Sequence, residues 1–360
     1  MIRPLIRSAI LALAALIALT ACAPIVQQAG KPGVGFLGPR LEADDFISFD
    51  GARLTMKHWE PPSTKAAEPW AVIVGLHGMN DYSNAFHLAA PAWAADGIAT
   101  YAYDQRGFGA SPGRGIWGGD GLMTEDLRTI TALIRQRYPH AIIAVAGVSM
   151  GGAVAIEAFA SDRPPAADRL ILLGPGVWGW SNQPIPYATA LWITAHVARS
   201  SVINPPDFVV RNVAPSDNRD ELIRMGRDPL MIWGARTDTL YGLVSVMEHA
   251  QRQIGHIAAP VAYLAGVHDK IIPKAPHLRA AHHLKPTDRS AYYPNGYHLL
   301  LVDHQAPVVW RDVESFIRDP GAPLPSGAPI IPGAPTPPNA AVSTSVASDR
   351  RSGSPVSPCP

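Results

Sequence analysis

A serine stands at position 149 between two glycines, in Gly147-Val148-Ser149-Met150-Gly151. The pentapeptide follows the apolar run 141–146 and precedes Gly152-Ala153-Val154-Ala155-Ile156, whose small residues predict a helix. A strand that turns sharply into a helix strains the serine backbone and pushes its hydroxyl clear of the sheet edge. A base and a substrate can both reach it there. The flanking glycines are required because a Cβ would collide with the neighbouring strand and helix. The chemistry on offer is nucleophilic attack by an activated hydroxyl.

Such a nucleophile needs a base, and the base needs an orienting carboxylate. Ala259-Pro260-Val261-Ala262-Tyr263-Leu264-Ala265-Gly266 reads as a strand running into the loop 267–273, which places Asp269 just past a strand end. Asp238, in Arg236-Thr237-Asp238-Thr239, is the rival acid, but no apolar strand precedes it. Ser290-Ala291-Tyr292-Tyr293-Pro294 is a further short strand, and Asn295-Gly296-Tyr297-His298 puts His298 in the turn after it. Of 13 histidines, His298 has the right order and context, whereas His268, His282, His283 and His304 read as satisfied surface or core residues. Donors for a developing oxyanion are the third requirement. The apolar strand 70–76 ends in His77-Gly78-Met79, a turn that lets the next backbone N–H point at the nucleophile. The expected donors are the N–H groups of Met79 and of Met150, the residue after the serine.

These motifs, with Tyr103-Asp104-Gln105-Arg106-Gly107-Phe108-Gly109-Ala110-Ser111 between them, resemble the monoglyceride lipase and lysophospholipase branch of the α/β-hydrolase superfamily. Its members carry nucleophile, acid and histidine in that chain order, as here. The D-x-R-G-x-G-x-S loop is the most specific element. Arg106 is expected to tie this loop by hydrogen bonds to nearby carbonyls, while Gly107 and Gly109 permit tight turning. The resemblance implies a serine esterase acting on lipid or acyl esters. It covers about residues 44–317 and is weakest over 175–255, where such proteins carry a variable cap. Epoxide hydrolases and dehalogenases are disfavoured, because those relatives place Asp where this chain has Ser149.

The order of elements agrees. Phe46-Ile47-Ser48-Phe49 and the run 53–59 predict a hairpin around Asp50-Gly51, followed by strand 70–76, a helix near 84–95 and strand 98–103. Residues 125–138 predict a helix with Leu127, Ile130, Leu133 and Ile134 on one face. The elbow follows, then strand 169–173. Strands alternating with helices imply a mostly parallel sheet covered on both faces, with the ligand crevice at the strand carboxyl ends. After Gly174-Pro175-Gly176 the rhythm breaks. Residues 177–254 hold Trp178, Trp180, Trp192, Phe208 and Trp233, with helical stretches at 187–202 and 240–254. The fold class is therefore α/β, and the resemblance implies an α/β-hydrolase domain over 41–318 with a helical cap at about 176–255.

Composition sets the outer bounds. The chain has 360 residues, 47% hydrophobic and 16% charged, enough for one large core. A formal net charge of +1 implies no polyanionic partner, so no nucleic acid is expected. No metal-ligand spacing, phosphate-cradling glycine loop, dinucleotide fingerprint or internal repeat is found, and neither metal nor cofactor is expected. His282-His283 reads as a solvated helix end.

The N-terminus carries an address. Arg3 and Arg7 precede an apolar run over 8–19, too short for a comfortable membrane span. The run ends in Leu19-Thr20-Ala21-Cys22, which resembles a bacterial lipobox, with cleavage before Cys22 and lipid attached to it. Residues 1–21 are then a lipoprotein signal peptide, and the mature chain is a monomer tethered in the bacterial envelope, facing the periplasm. Ala23, rather than Asp, resembles lipoproteins sent to the outer membrane. The other cysteine, Cys359, is penultimate, so no disulfide framework is expected. Residues 22–40 read as a flexible spacer. Residues 319–360, rich in Pro, Ala, Ser and Gly, read as a disordered, dispensable tail.

The function expected is hydrolysis of acyl esters of lipid-like substrates, monoacylglycerol or lysophospholipid, through Ser149, His298 and Asp269. An acyltransferase with the same triad and a non-catalytic envelope-binding lipoprotein are the alternatives.

Overall fold

The computed structural model describes residues 23–63, 68–204 and 212–337. The predicted signal peptide, Cys22, Phe208 and Cys359 lie outside the described residues.

The chain opens with strands β1 (Arg40–Leu41), β2 (Asp45–Ile47) and β3 (Arg53–Trp59), then β4 (Ala71–Leu76). Helix α1 (Ala89–Ala95), strand β5 (Ile98–Tyr103), helix α2 (Asp120–Arg137), strand β6 (Ile142–Val148), helix α3 (Met150–Phe159) and strand β7 (Arg169–Leu173) follow. Between β7 and β10, where a cap is expected over about 176–255, lie α4 (Ile185–Val197), the two-residue strands β8 (Val202–Ile203) and β9 (Ala235–Arg236), and helices α5 (Arg219–Arg227) and α6 (Thr237–Gln253). Helix α6 is buried in the body through Val244, Val246, Met247 and Ala250. The chain then returns to the body as β10 (Val261–Gly266), α7 (Lys274–His282), β11 (Arg289–Tyr293) and α8 (Ala306–Arg318).

The nine-stranded sheet runs β1-β2-β3-β5-β4-β6-β7-β10-β11. All pairings from β5 to β11 are parallel, and β1, β2, β3 and β5 pair antiparallel. Strands β4, β5 and β10 are buried at every residue, which is why they read as unbroken apolar runs. The pleat divides their side chains between two cores. Val72, Val74 and Leu76 enter one, with Leu127, Ile130 and Ile134 of α2, Val154 of α3 and Val246 of α6. Ala71 and Ile73 enter the other, with Trp93 of α1 and Val309, Val313 and Phe316 of α8. The sheet is thus covered on both faces, as the alternating pattern requires.

Two flanking segments differ from the sequence expectation. Residues 23–40 do not stand off from the body. Val26 bridges to Trp117, Gln27 N donates to Trp117 O at 2.9 Å, and Gly30 N donates to Asp50 Oδ2 at 2.7 Å. The described part of the tail, 319–337, also packs. Tyr292 N donates to Pro329 O at 2.7 Å, Arg289 Nε donates to Ala322 O at 3.0 Å, and Ile331 is fully buried. Strand β11 lies at the edge of the sheet, so this segment covers backbone that would otherwise be unpaired. Composition alone missed it, because few apolar side chains (Ile331 buried, with Leu324, Ala328 and Ala334 packed beside the cores) and a few backbone bonds fix its place.

Candidate active site

The elbow forms as its residue types require. Ser149 closes β6 with φ +49° and ψ −115°, a left-handed backbone that a non-glycine residue adopts only under constraint. A Cβ on Gly151 would overlap the Leu76 carbonyl, and one on Gly147 would lie 2.7 Å from Gly152 N. Helix and strands therefore meet at a distance only glycine allows. Ser149 N donates to Leu173 O at 3.1 Å and Gly176 N donates to Ser149 O at 2.8 Å, fixing the turn against the end of β7.

Asp269 and His298 come together across 29 residues of chain. His298 Nδ1 lies 2.8 Å from Asp269 Oδ2, and both side chains are almost wholly buried. Asp269 Oδ1 accepts the N–H groups of Ile271 and Ile272 at 2.8 and 3.0 Å. Burial opposes its charge, yet the facing His298 and the hydrogen bonds from His277 and His298 hold the carboxyl below the usual carboxylate range. Gly174, one residue past β7, lies against both groups. A Cβ there would lie 3.4 Å from His298 Nδ1 and 3.6 Å from Asp269 Oδ2. Among the described residues Ser149 Oγ has no hydrogen-bond partner. Asp269 and His298 are joined directly, by the 2.8 Å contact between Oδ2 and Nδ1. Asp238, the rival acid, is bound instead to Arg236 at 2.6 Å.

The turn after β4 lies against the same serine. A Cβ on Gly78 would come 3.2 Å from Ser149 Cβ. His77 is fully buried, and its Nε2 accepts Gln105 N–H at 2.9 Å. Its Nδ1, 2.7 Å from Gly78 O, must therefore donate. Burial pushes the His77 pKa down, which keeps the ring neutral. The bond holds the Gly78 carbonyl, and with it the peptide plane that carries Met79 N–H. The amides of Met79 and Met150 make no hydrogen bond to another described residue. A cleft lined by Asp81, Val148, Glu221, Met225 and Leu299 adjoins this corner, and burial pushes the Asp81 carboxyl up to about 7.

Arg106 corrects one expectation. It binds carboxylates rather than carbonyls. Its guanidinium meets Asp50 through two bonds of 2.8 Å and Asp126 at 2.7 and 2.8 Å, all within the core. The loop's own carboxylate, Asp104, accepts Ser83 N and Ala110 N at 2.8 Å each. At Gly109, φ is +55° and a Cβ would overlap that carboxylate.

Arg114 ties the segment between α5 and β9 to the body, donating to Gly109 O and to the carbonyls of Pro229, Leu230 and Met231 at 2.8–3.0 Å. Trp178 and Trp180 pack on the core, whereas Trp192 and Trp233 are exposed. His282 and His283 lie at the end of α7. Asp120, Glu157 and His249 bring oxygen and nitrogen atoms within 4.8 Å of one another, on helices far apart in sequence. They pair among themselves, with His249 Nδ1 3.4 Å from Asp120 Oδ2. Sequence reasoning also missed His277, which touches Asp269. The available signal was a histidine on the buried face of a helix, in register with Ala280 and Ala281.

A mostly parallel sheet, a strained nucleophile elbow and an acid–histidine pair at the strand carboxyl ends define an α/β-hydrolase. The chain belongs to the Hydrolase_4 family, described as serine aminopeptidase, S33, which matches residues 67–305. It is 26% identical over 278 residues to a monoacylglycerol lipase of Mycolicibacterium smegmatis, covering 76% of this chain and 95% of that protein. Human monoglyceride lipase is 24% identical over 266 residues, covering 73% and 85%. Among solved structures, the monoacylglycerol lipase of Paleococcus ferrophilus superposes with a TM-score of 0.59 at 21% identity, covering 74% of this chain and 99% of that one. The chain is a carboxylic ester hydrolase resembling the monoglyceride lipases.

Proposed function

We propose that the chain hydrolyses acyl esters of lipid-like alcohols, monoacylglycerol first and lysophospholipid second, through an acyl-enzyme on Ser149. The observation that carries this reading is the strained serine at the elbow beside a buried Asp269–His298 pair. His298 Nε2 takes the Ser149 proton as Oγ attacks the ester carbonyl. Asp269 holds the other ring nitrogen and stabilises the imidazolium. The oxyanion is received by the amides of Met79 and Met150, donors worth roughly 10²–10³ each in kcat. His298 then protonates the departing alcohol, and water releases the acid by the same route. The apolar helix α4, which exposes Ile185, Tyr187, Trp192, Ile193 and Val197, supports a lipid-like substrate, as do the names of the relatives.

The lipobox-like Leu19-Thr20-Ala21-Cys22 supports a further part of the proposal. The hydrolase domain is tethered by lipid at Cys22 in a bacterial envelope, with two or more acyl chains giving stable anchoring. Among the described residues no helix is long and apolar enough to cross a membrane. A detergent-phase partition that survives in wild type and is lost in Cys22→Ser tests the anchor.

Ser149→Ala tests the activity. Turnover of p-nitrophenyl esters should fall by up to roughly 10⁶ in kcat, with the thermal melt unchanged. Near wild-type turnover by this variant contradicts the reading. Profiling on monoacylglycerols, lysophospholipids and triacylglycerols of graded length, with and without added acceptor alcohol, should give free acid as the product.

A further inference from the structure

We propose that His277, backed by Tyr263, is a positioning residue for this reaction. It gives Asp269 a second imidazole donor and so sets how strongly the carboxylate supports His298. The inference rests on the acyl-enzyme reading above.

Four donors surround Asp269. Ile271 N and Ile272 N occupy Oδ1 at 2.8 and 3.0 Å, while Oδ2 faces His298 Nδ1 at 2.8 Å and His277 Nε2 at 3.4 Å. An ionised carboxylate only accepts, so the His277 nitrogen that faces it carries the proton. In a neutral ring the other nitrogen, Nδ1, then holds a lone pair, and it lies 2.8 Å from Tyr263 Oη. Burial pushes the Tyr263 hydroxyl well above its ordinary range, so the group stays O–H and can donate. One proton arrangement satisfies every partner. Tyr263 O–H donates to His277 Nδ1, His277 Nε2–H donates to Asp269, and His298 Nδ1–H donates to Asp269. Nε2 of His298 is left as the base.

Tyr263 is 0% and His277 1% exposed, so neither finds compensation in water. An apolar side chain would fill the same space on α7 without a polar group to satisfy. A tyrosine on β10 and a histidine on α7 therefore form a polar chain that leads from the core to the acid. The chain shares the Asp269 charge between two imidazoles. With His277 absent, that charge falls on His298 alone, the imidazolium is better stabilised, and the base loses its proton at higher pH. The other ionisable groups here are Tyr292, which feels the Asp269 charge, and Asp303, which feels those of His298 and Asp217. Both are unchanged in the variants below and contribute equally to every profile.

The test is the pH dependence of kcat and KM for a soluble aryl ester, using the full chain. Ser149→Ala, His277→Leu, His277→Gln and Tyr263→Phe are compared with wild type. His277→Leu should move the acid limb of kcat to higher pH with little change in KM, so that kcat on the acid side falls about tenfold for each unit the limb moves. His277→Gln, which restores an N–H donor, should recover most of both. Tyr263→Phe should shift the limb in the same direction by less. Wild-type kcat and an unmoved limb in folded His277→Leu overturn the proposal. So does lost activity with an unmoved limb and no rescue by Gln, the outcome of a purely structural role. Should His277→Leu fail to fold, an unmoved limb in Tyr263→Phe overturns it. Turnover by Ser149→Ala would instead remove the acyl-enzyme reading itself.

Discussion

Ser149 and Arg106 show two uses of constraint at the scale of single residues. Ser149 is held in a left-handed backbone by glycines that let helix and strand close around it. Its place was legible because the glycine spacing and the flanking apolar run are local features. Arg106 was legible only as a loop arginine. Its partners lie 56 and 20 residues away in sequence, and no local pattern announces which acids the fold will bring to it. Arg106 lies in the core with the Asp50 and Asp126 carboxylates, so removing it leaves two buried charges uncompensated. Arg106→Ala should cost about 3–5 kcal/mol of stability, read as a lower midpoint in urea. Arg106→Lys should recover only part, because one ammonium cannot reproduce the bidentate contacts. A midpoint within error of wild type for the alanine variant would show that this network is not structural.

At the scale of elements, the buried parallel strands were readable and the packed tail was not. Strands β4, β5, β7 and β10 are continuous apolar runs because both their faces meet helices. The helix predicted at 84–95 divides into a 3₁₀ turn at Ser83–Phe86 and α1. The helix expected from 125 begins five residues earlier, at Asp120. Helices α5 and α8 were not predicted, and of α7 only the end at His282-His283 was; α8 covers one face of the sheet together with α1, through Val309, Val313 and Phe316. Residues 319–337 then run back across the edge at β11, with Ile331 inserted into the core. A chain ending at Arg318 should melt at lower temperature than the full chain. Ile331→Ala alone should cost about 2–5 kcal/mol. Equal melting temperatures would return this segment to the dispensable tail that its composition suggests.

Across the whole molecule, charge burial sets a pH signature. Burial pushes Asp81 and Glu157 up to about 7 and Asp303 up to about 6. In the folded chain these acids keep protons that the unfolded chain has released above about pH 4. Stability should therefore fall as the pH rises from about 4 to 7. Asp50 acts in the opposite sense. Burial opposes its charge, but Arg106 and the Gly30 and Ala52 amides hold it down to about 2. Its contribution is present above about pH 4 and is lost as the pH falls towards 2. The melting temperature should peak on the acid side of neutrality, and Glu157→Gln with Asp303→Asn should flatten the decline above it. A melting temperature that rises steadily through neutral pH would contradict this balance. The positions of Ser149, Asp269 and His298 after the ends of β6, β10 and β11 were legible, because the sequence announces those strands. His277 was not, since its meaning depends on where α7 settles against the acid. The central claim is that one hydroxyl is made reactive, and it is tested most directly by labelling with a fluorophosphonate and mapping the adduct by mass spectrometry. A single adduct on Ser149, formed by the folded chain and abolished by His298→Ala, is the predicted result. No adduct, or one on another residue with Ser149 unmodified, would contradict it.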